Sequence, residues 1–309
     1  MRIVFMGTPE FAVPSLEELI HRGHEVLGVF TQPDKPKGRG KKLTPPPIKE
    51  KAKAHNIKVY QPERIKNTEI FELLEEMSPD CIVVVAYGQL LPKTILALPR
   101  YGCINVHASL LPKYRGAAPI NWAIIKGEEI TGITAMYMSE GLDTGDMIIK
   151  EEVFIHDQTA GELTDELALV GAHVIGETLD LLITNRAPRI KQNEFLSSYA
   201  PLLKKELGNI IWSKSAKEIH NLIRGLNPWP TAFTTYKGEI FKVWKSKYIP
   251  DDCNLPPGSI TMIDKNGIYV NTGNGTLVIE ELQIPNGKRM AVGEYLKGNA
   301  MEKNAILGE

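Results

Sequence analysis

Two polar residues separated by a single valine, Asn105 and His107, close the apolar run Cys103-Ile-Asn-Val-His107. A carboxylate, Asp143, stands in the later glycine-bounded turn Gly141-Leu-Asp-Thr-Gly-Asp146. An amide, an imidazole and a carboxylate suffice for acyl transfer without a covalent enzyme intermediate. The Asn can donate to an oxyanion, the His can carry charge or a proton, and the Asp can hold the His charged or oriented. Each residue also has a plainer reading. A lone His in an apolar run is usually a satisfied core residue, and an Asn can simply end a strand. The two clusters together favour chemistry. Cys81, Cys103 and Cys253 lack metal-ligand spacing, so no metal is expected.

Positions i and i+2 of a strand point to the same side, so Asn105 and His107 can address one reacting atom. Ser109-Leu-Leu-Pro112 does not continue that strand, because proline interrupts a ladder and restricts the residue before it. The pair therefore stands at or just past a strand's carboxyl end, where open α/β sheets hold their ligands. Alternating runs at 133–138 and 147–154 flank the Asp143 turn. Upstream, an apolar run at 2–6 ends at Gly7-Thr-Pro9, a helix-spaced segment follows at 14–21, and a second strand at 26–30. This order predicts an α/β fold with a doubly wound, mostly parallel, Rossmann-like sheet. A dinucleotide-binding unit is a weak rival, since the first turn has one glycine where Gly-x-Gly-x-x-Gly is required. Further helices are expected at 48–55, 69–77, 119–125 and 160–182, with a short strand at 58–60. The run Asp80-Cys-Ile-Val-Val-Val-Ala-Tyr-Gly88 reads as a central strand buried on both faces.

The 309 residues, 43% hydrophobic and 24% charged, allow one large domain or two ordinary ones. A net charge of −1 excludes a global pull on polyanions, so any nucleic-acid contact must come from local patches. Cys81 and Cys103 lie in apolar strand runs and are expected to be buried, reduced thiols. There is no membrane-length apolar run and no secretory or transit signature, so a cytoplasmic protein is expected. Residues 32–49 carry Lys35, Lys37, Arg39, Lys41, Lys42 and Lys49 against Asp34, with five prolines. Little regular structure is expected there: the segment is either a solvated loop or a basic arm that closes on a polyanion. Arg115 is either a surface charge or a guanidinium aimed at a substrate phosphate or carboxylate.

Residues 190–207 lose periodicity and read as a surface linker. Beyond them come a short helix at 215–224 and strand-like runs at 232–236, 240–247, 258–263, 267–271 and 275–282. Lys237-Gly238, Lys265-Asn-Gly267 and Gly273-Asn-Gly275 supply the turns, which predicts a small antiparallel barrel. Lys237, Lys242, Lys245 and Lys247 interleave with Phe241, Trp244 and Tyr248, giving a face that is partly core and partly basic. Barrels of this type bind nucleic acid through such faces. Asn227-Pro-Trp-Pro230 reads as a rigid corner, and one last helix is expected over 294–309.

The motifs Asn105-Val-His107, Ser109-Leu-Leu-Pro112, Arg115-Gly-Ala-Ala-Pro119 and Leu142-Asp-Thr-Gly-Asp146 resemble those of the 10-formyltetrahydrofolate-dependent formyltransferases. The Asn–His–Asp set alone indicates that wide group. Arg115-Gly-Ala-Ala-Pro119, the basic insertion and the C-terminal barrel narrow the likeness to the methionyl-tRNA formyltransferases, over the whole chain. The resemblance implies a catalytic domain at 1–189 with its basic insertion at 32–49, a linker at 190–207, and an OB-like tRNA-binding barrel at 208–309. It implies catalytic roles for Asn105, His107 and Asp143. It places Tyr87, Gly88, Ser109, Leu110, Leu111 and Pro112 around the folate. Arg39, Lys41, Lys42, Lys237 and Lys245 would touch tRNA. The implied partners are 10-formyltetrahydrofolate as co-substrate, with no metal, and initiator methionyl-tRNA. The chain is expected to act away from membranes as a monomer. Alternatives are a formyltransferase for a glycinamide ribonucleotide or a sugar-nucleotide amine, a formyltetrahydrofolate hydrolase, and a non-catalytic tRNA-binding protein. The basic insertion and barrel argue against the first two, and the intact polar set argues against the last.

Overall fold

Runs of β-branched and other apolar residues, covered on both faces, form the strands at the centre of the N-terminal unit. The computed structural model describes residues 1–37, 42–251 and 255–309. They separate into one unit of Met1–Pro119, Ile130–Phe154 and Thr164–Ala200, and another of Ile120–Glu129, Ile155–Leu163 and Pro201–Glu309.

The chain opens with β1 (Arg2–Gly7), α1 (Val13–His21) and β2 (Glu25–Phe30). Pro14 suits the first helical turn of α1, and Leu16 and Leu19 are its buried stripe. Next come β3 (Lys35–Lys37), β4 (Lys42–Thr44), α2 (Pro47–Ala54), β5 (Val59–Tyr60), α3 (Thr68–Met77), β6 (Cys81–Val85), α4 (Lys93–Leu96) and β7 (Cys103–His107). β8 (Arg115–Gly116), α5 (Pro119–Ile125), β9 (Ile130–Tyr137), β10 (Met147–Phe154), α6 (Ala160–Ile183) and β11 (Tyr199–Ala200) complete the series. The main sheet runs in the order β10-β9-β7-β6-β1-β2-β5. β1, β2, β5, β6 and β7 are parallel, while β9 runs against both of its neighbours, β7 and β10. Ile3, Val4, Phe5 and Met6 on β1, and Ile82, Val83 and Val85 on β6, are fully buried. Cys81 and Cys103 are buried free thiols, as expected.

The strand order places a reversal between β1 and β6. From β1 the chain builds outward through β2 to β5, then returns to build β6 and β7 on the other side. At such a reversal, open α/β sheets hold their ligands outside the carboxyl ends of the strands.

Two expectations for this unit need correction. The basic segment is not wholly irregular: β3 and β4 pair antiparallel, Lys35 opposite Thr44, and α2 starts at Pro47. A proline fits a first helical turn, which ends the loop early. Arg39 and Lys41 lie outside the described residues. The stretch after residue 189 is not a plain surface connector either. Ile190 exchanges two backbone hydrogen bonds with Met147, at 2.8 and 3.0 Å, and β11 pairs with β8. Backbone laddering needs no side-chain periodicity, so the pattern of residue types does not announce it.

In the second unit α7 (Ala216–Gly225) starts with a capping box, in which Ser215 and Glu218 satisfy each other's backbone donors. β12 (Ala232–Tyr236), β13 (Glu239–Ile249), β14 (Ile260–Asp264), β15 (Gly267–Asn271) and β16 (Thr276–Gln283) form an antiparallel sheet in the order β12-β13-β16-β15-β14. β17 (Met290–Ala291) adds to β16. The arrangement is compatible with an OB-like barrel. Its core includes Trp212, Ile219, Ile223, Phe241, Val243, Ile268, Val270, Leu277 and Ile279. The expected final helix is corrected to the single turn α8 (Val292–Tyr295). Gly298 and Asn299 cannot prolong it cheaply, and the terminal residues pair instead with the start of β14 and the chain just before it: Ile260 donates to the Ala305 carbonyl and Leu307 to the Gly258 carbonyl.

Candidate active site

β7 delivers Asn105 and His107 from one side of the strand, as period-2 alternation requires. Asn105 is half-buried, and its amide has no hydrogen-bond partner among the described residues. His107 is 6% exposed. Its Nε2 donates to the Tyr114 carbonyl at 2.9 Å, which puts a hydrogen on that nitrogen. Nδ1 faces Oδ2 of Asp143 at 3.6 Å. Asp143 has a left-handed backbone, φ +53°, and its Oδ2 also accepts from the Gly116 amide at 2.8 Å. The glycine at 145 is obligatory: a Cβ there would lie 1.7 Å from the Tyr137 carbonyl. The structure thus brings His107 and Asp143 together, with Asn105 on the same side of β7 as the imidazole.

The loop after β7 is fastened to the neighbouring strand. The buried Thr134 hydroxyl on β9 donates to the Ser109 carbonyl at 2.6 Å and accepts from the Leu111 amide at 3.1 Å. Ser109 in turn donates to the Lys113 carbonyl at 2.6 Å. The Lys150 ammonium donates to the Leu111 carbonyl, and burial lowers its pKa. Leu111 packs with Met136 and Met147, and the Leu111–Pro112 peptide is cis. Ser109 and Leu111 are therefore internal framework, whereas the half-buried Leu110 and Pro112 present surface.

At the carboxyl edge of β1 and β6 the Tyr87 carbonyl accepts from the Thr8 hydroxyl at 3.0 Å and from Gln32 Nε2 at 3.2 Å. The expectation for Tyr87 needs qualifying. Its ring is 1% exposed in the core beside Val4, Met6 and Phe30, and burial raises its pKa to about 12. Only its backbone reaches the loop. Gly88 holds φ +86°, and the nearest atom to a Cβ built there is Gln32 Nε2 at 3.9 Å. Backbone conformation calls for the glycine, and the space beside it is open.

Arg115 fits neither reading offered for it. It is 8% exposed and makes two 2.8 Å bonds to the Glu194 carboxylate. Its Nε and Nη2 also donate to Gln192 Oε1, at 3.0 and 2.8 Å. The guanidinium holds the Glu194 carboxyl below its usual range. Gln192 was not singled out from the sequence. Its Nε2 donates to the Asp143 and Gly145 carbonyls, both at 2.8 Å. A single Gln in a polar, aperiodic stretch carries no signal that would have revealed it.

Among the basic residues, Lys42 is exposed at the start of β4. Lys237, in a turn with φ +51°, sits 2.6 Å from Glu302, and that hydrogen bond raises its pKa. Lys245 lies 3.5 Å from Glu280, which also takes Lys247 at 2.5 Å. Phe241 and Val243 point into the core. Two register shifts on β13 then bury Ser246 and turn Lys245 and Lys247 outward. Trp244 lies near the Lys242 and Arg289 cations, at 5.9 and 5.1 Å. Among the described residues no His, Cys, Asp and Glu group could hold a metal, and no helix is long and apolar enough to cross a membrane.

Residues 1–179 match the formyl transferase family, and residues 202–300 match the formyl transferase C-terminal domain. The chain is 59% identical to a methionyl-tRNA formyltransferase of Alkaliphilus oremlandii over 310 residues, with 100% of both chains covered. It is 57% identical to one of Clostridioides difficile, again over 100% of both. Two solved structures share the fold at low identity. The sugar 3N-formyl transferase WlaRD, solved in the presence of dTDP and 5-N-formyl-THF, has a TM-score of 0.69 at 20% identity. That match covers 93% of this chain and 99% of the other. HypX from Aquifex aeolicus has a TM-score of 0.66 at 18% identity, covering 98% of this chain but 50% of HypX. Gln192, Glu194 and β11 fall between the two family-matched ranges.

Proposed function

The chain belongs to the formyl transferase family, and on that premise we propose how its site works. The protein transfers the formyl group of 10-formyltetrahydrofolate to the α-amino group of methionyl initiator tRNA. The observation that carries the catalytic assignment is His107, buried between the Tyr114 carbonyl and the Asp143 carboxylate, beside an Asn105 amide with both hydrogens unspent.

The nucleophile is the neutral α-amine. Such amines titrate at about 7.7–8, so a useful fraction is unprotonated near neutrality. Its lone pair attacks the formyl carbon, and the carbonyl π electrons move to oxygen. Asn105 donates to that oxyanion, and the oxyanion competes with the Tyr114 carbonyl for the His107 Nε2 hydrogen. Asp143 keeps Nδ1 facing a negative charge and takes part in moving the proton that the amine loses. The oxyanion electrons then re-form the carbonyl, and the bond from N10 to the formyl carbon breaks. Its electrons stay on N10, which gains the proton. Tetrahydrofolate and formylmethionyl-tRNA leave, and no covalent enzyme intermediate forms.

The folate lies along the carboxyl edge, with its ring by the Tyr87-Gly88 backbone and its formyl end by Leu110 and Pro112. The open space beside Gly88 supports that placement. Ser109 and Leu111 shape this pocket from behind. Arg39, Lys41 and Lys42 in the basic segment, and Lys237 and Lys245 in the second unit, hold the RNA. Catalysis belongs to the first unit, and both units share the grip on tRNA. The enzyme acts in the cytoplasm, where charged initiator tRNA is made, and as a monomer, since one chain supplies the whole polar set.

The test is to incubate the protein with 10-formyltetrahydrofolate and methionyl initiator tRNA, with a sugar-nucleotide amine as a competing acceptor. Formylmethionine on the RNA, matched by tetrahydrofolate release, is the expected result. Formate without acylated RNA, or transfer to the sugar amine alone, overturns it.

A further inference from the structure

Three side chains, Glu194, Arg115 and Gln192, form a hydrogen-bonded chain that ends on the backbone of the Asp143 turn. Gln192 spends both amide hydrogens on the carbonyls of Asp143 and Gly145, each at 2.8 Å. It spends its oxygen on Nε and Nη2 of Arg115, at 3.0 and 2.8 Å. Its hydrogen-bonding capacity is therefore full. Arg115 is locked in turn by the bidentate Glu194 pair. Asp143 holds φ +53°, in the left-handed region that few residues with side chains visit, and Gln192 binds the carbonyl of that same residue.

We propose that Gln192 is a positioning residue for formyl transfer: by clamping the backbone of the Asp143 turn to Arg115, it keeps the Asp143 carboxylate facing Nδ1 of His107. Neighbouring backbone acts in the same direction. Ser198 Oγ accepts from the Tyr114 amide at 2.9 Å, and Tyr114 holds the other nitrogen of His107. Ala200 pairs with Gly116, whose amide holds the Asp143 carboxylate. The segment 190–200 is thus a strap that fastens both partners of the imidazole. Gln192 is the member whose side chain can be changed without touching the backbone ladder.

The inference rests on the role given to Asp143, so the test includes Asp143→Asn. Gln192→Ala and Gln192→Glu are compared with the unaltered enzyme by steady-state kinetics, with thermal unfolding as a check on the fold. Gln192→Glu places a carboxylate against two carbonyls and loses both donors. Misplacing a catalytic group by about 1 Å can cost roughly 100-fold. The expected fall in kcat is about 10- to 100-fold for both variants, with KM for the formyl donor changed less than threefold. A residue that merely supports the fold would lower Tm and add its loss to any background. A positioning residue acts through Asp143, so Gln192→Ala should add less than twofold to the loss already caused by Asp143→Asn. If Gln192→Ala does not fold, Gln192→Met, of similar volume without donors, carries the same cycle. A kcat within twofold of the unaltered enzyme, or a full and additive loss in the Asp143→Asn background, overturns the proposal. Full activity of Asp143→Asn itself would instead overturn the reading of the site.

Discussion

His107 has a polar neighbour at each ring nitrogen: Nε2 donates to the Tyr114 carbonyl at 2.9 Å, and Nδ1 faces Oδ2 of Asp143 at 3.6 Å. The side chains are only 7% and 11% exposed, so little water separates the imidazole from its carboxylate. His107→Ala removes the ring. Asp143→Asn keeps the shape and the Gly116 contact but removes the charge. Each should lower kcat by about 10²- to 10⁴-fold, the usual worth of a positioned acid–base group. Far-UV circular dichroism and Tm should stay near those of the unaltered protein. Near-normal turnover in either variant would strip that residue of its role.

Asn105 makes a separate prediction, because its amide is unengaged and half-exposed. Asn105→Ala should leave the fold intact, since no internal hydrogen bond is broken. The loss should fall on the transition state, at about 2.7–4 kcal/mol, or roughly 10²- to 10³-fold in kcat. Equilibrium binding of a folate analogue should hardly move. A variant that loses folate affinity and keeps kcat would make Asn105 a binding residue.

The basic segment should govern RNA use alone. Deleting residues 38–42 removes Arg39, Lys41 and Lys42 while retaining Lys49, which is anchored to Asp34 at 2.8 Å. KM for methionyl-tRNA should rise at least tenfold, KM for the formyl donor should stay within twofold, and the salt dependence of tRNA binding should flatten. Unchanged kinetics on charged tRNA would refute the assignment.

His220 predicts how acid affects the second unit. It is 4% exposed, with Nδ1 3.0 Å from Ser246 Oγ and Nε2 2.7 Å from Asp157 Oδ1. Burial lowers its pKa and outweighs the opposing pull of Asp157. Arg224 adds to the lowering, while Glu280 opposes it. The unfolded chain takes up this proton at about 6.5 and the folded chain only at lower pH. Between those values the unfolded state binds more protons. The contribution is therefore complete above about 6.5 and is lost as pH falls through that window. Urea unfolding at pH 7.5, 6.5 and 5.5 should show a shallower acid loss for His220→Gln than for the unaltered protein. His24, whose pKa burial also lowers, contributes equally to both and cancels. Parallel curves would remove His220 from the account.

What could be read from the residues alone follows from what leaves a periodic trace. The central strand Cys81–Val85 is apolar throughout because both of its faces are covered. Asn105 and His107 stood out because strand alternation and Pro112 together fix a strand end. Arg115 was misread because its partner, Glu194, is 79 positions away and nothing local marks the pair. Gln192 was invisible for the same reason. The end of the chain looked helical because the breakers Gly298 and Asn299 stand among helix formers, while the pairing of Ile260 with Ala305 is long-range backbone bonding. The Tyr87 ring, expected beside a ligand, belongs to the core, because its burial is set by long-range packing with Val4, Met6 and Phe30.

The ladder between β11 and β8 decides where this protein can be cut. A fragment stopping at Arg189 would keep Asn105, His107 and Asp143 and still leave the imidazole's two neighbours untethered, because Ser198 and Ala200 would be gone. A protease nick between Gln192 and Ser198 keeps those residues but breaks the covalent link between Gln192 and Ser198, and turnover should fall while every residue of the polar set stays in the tube.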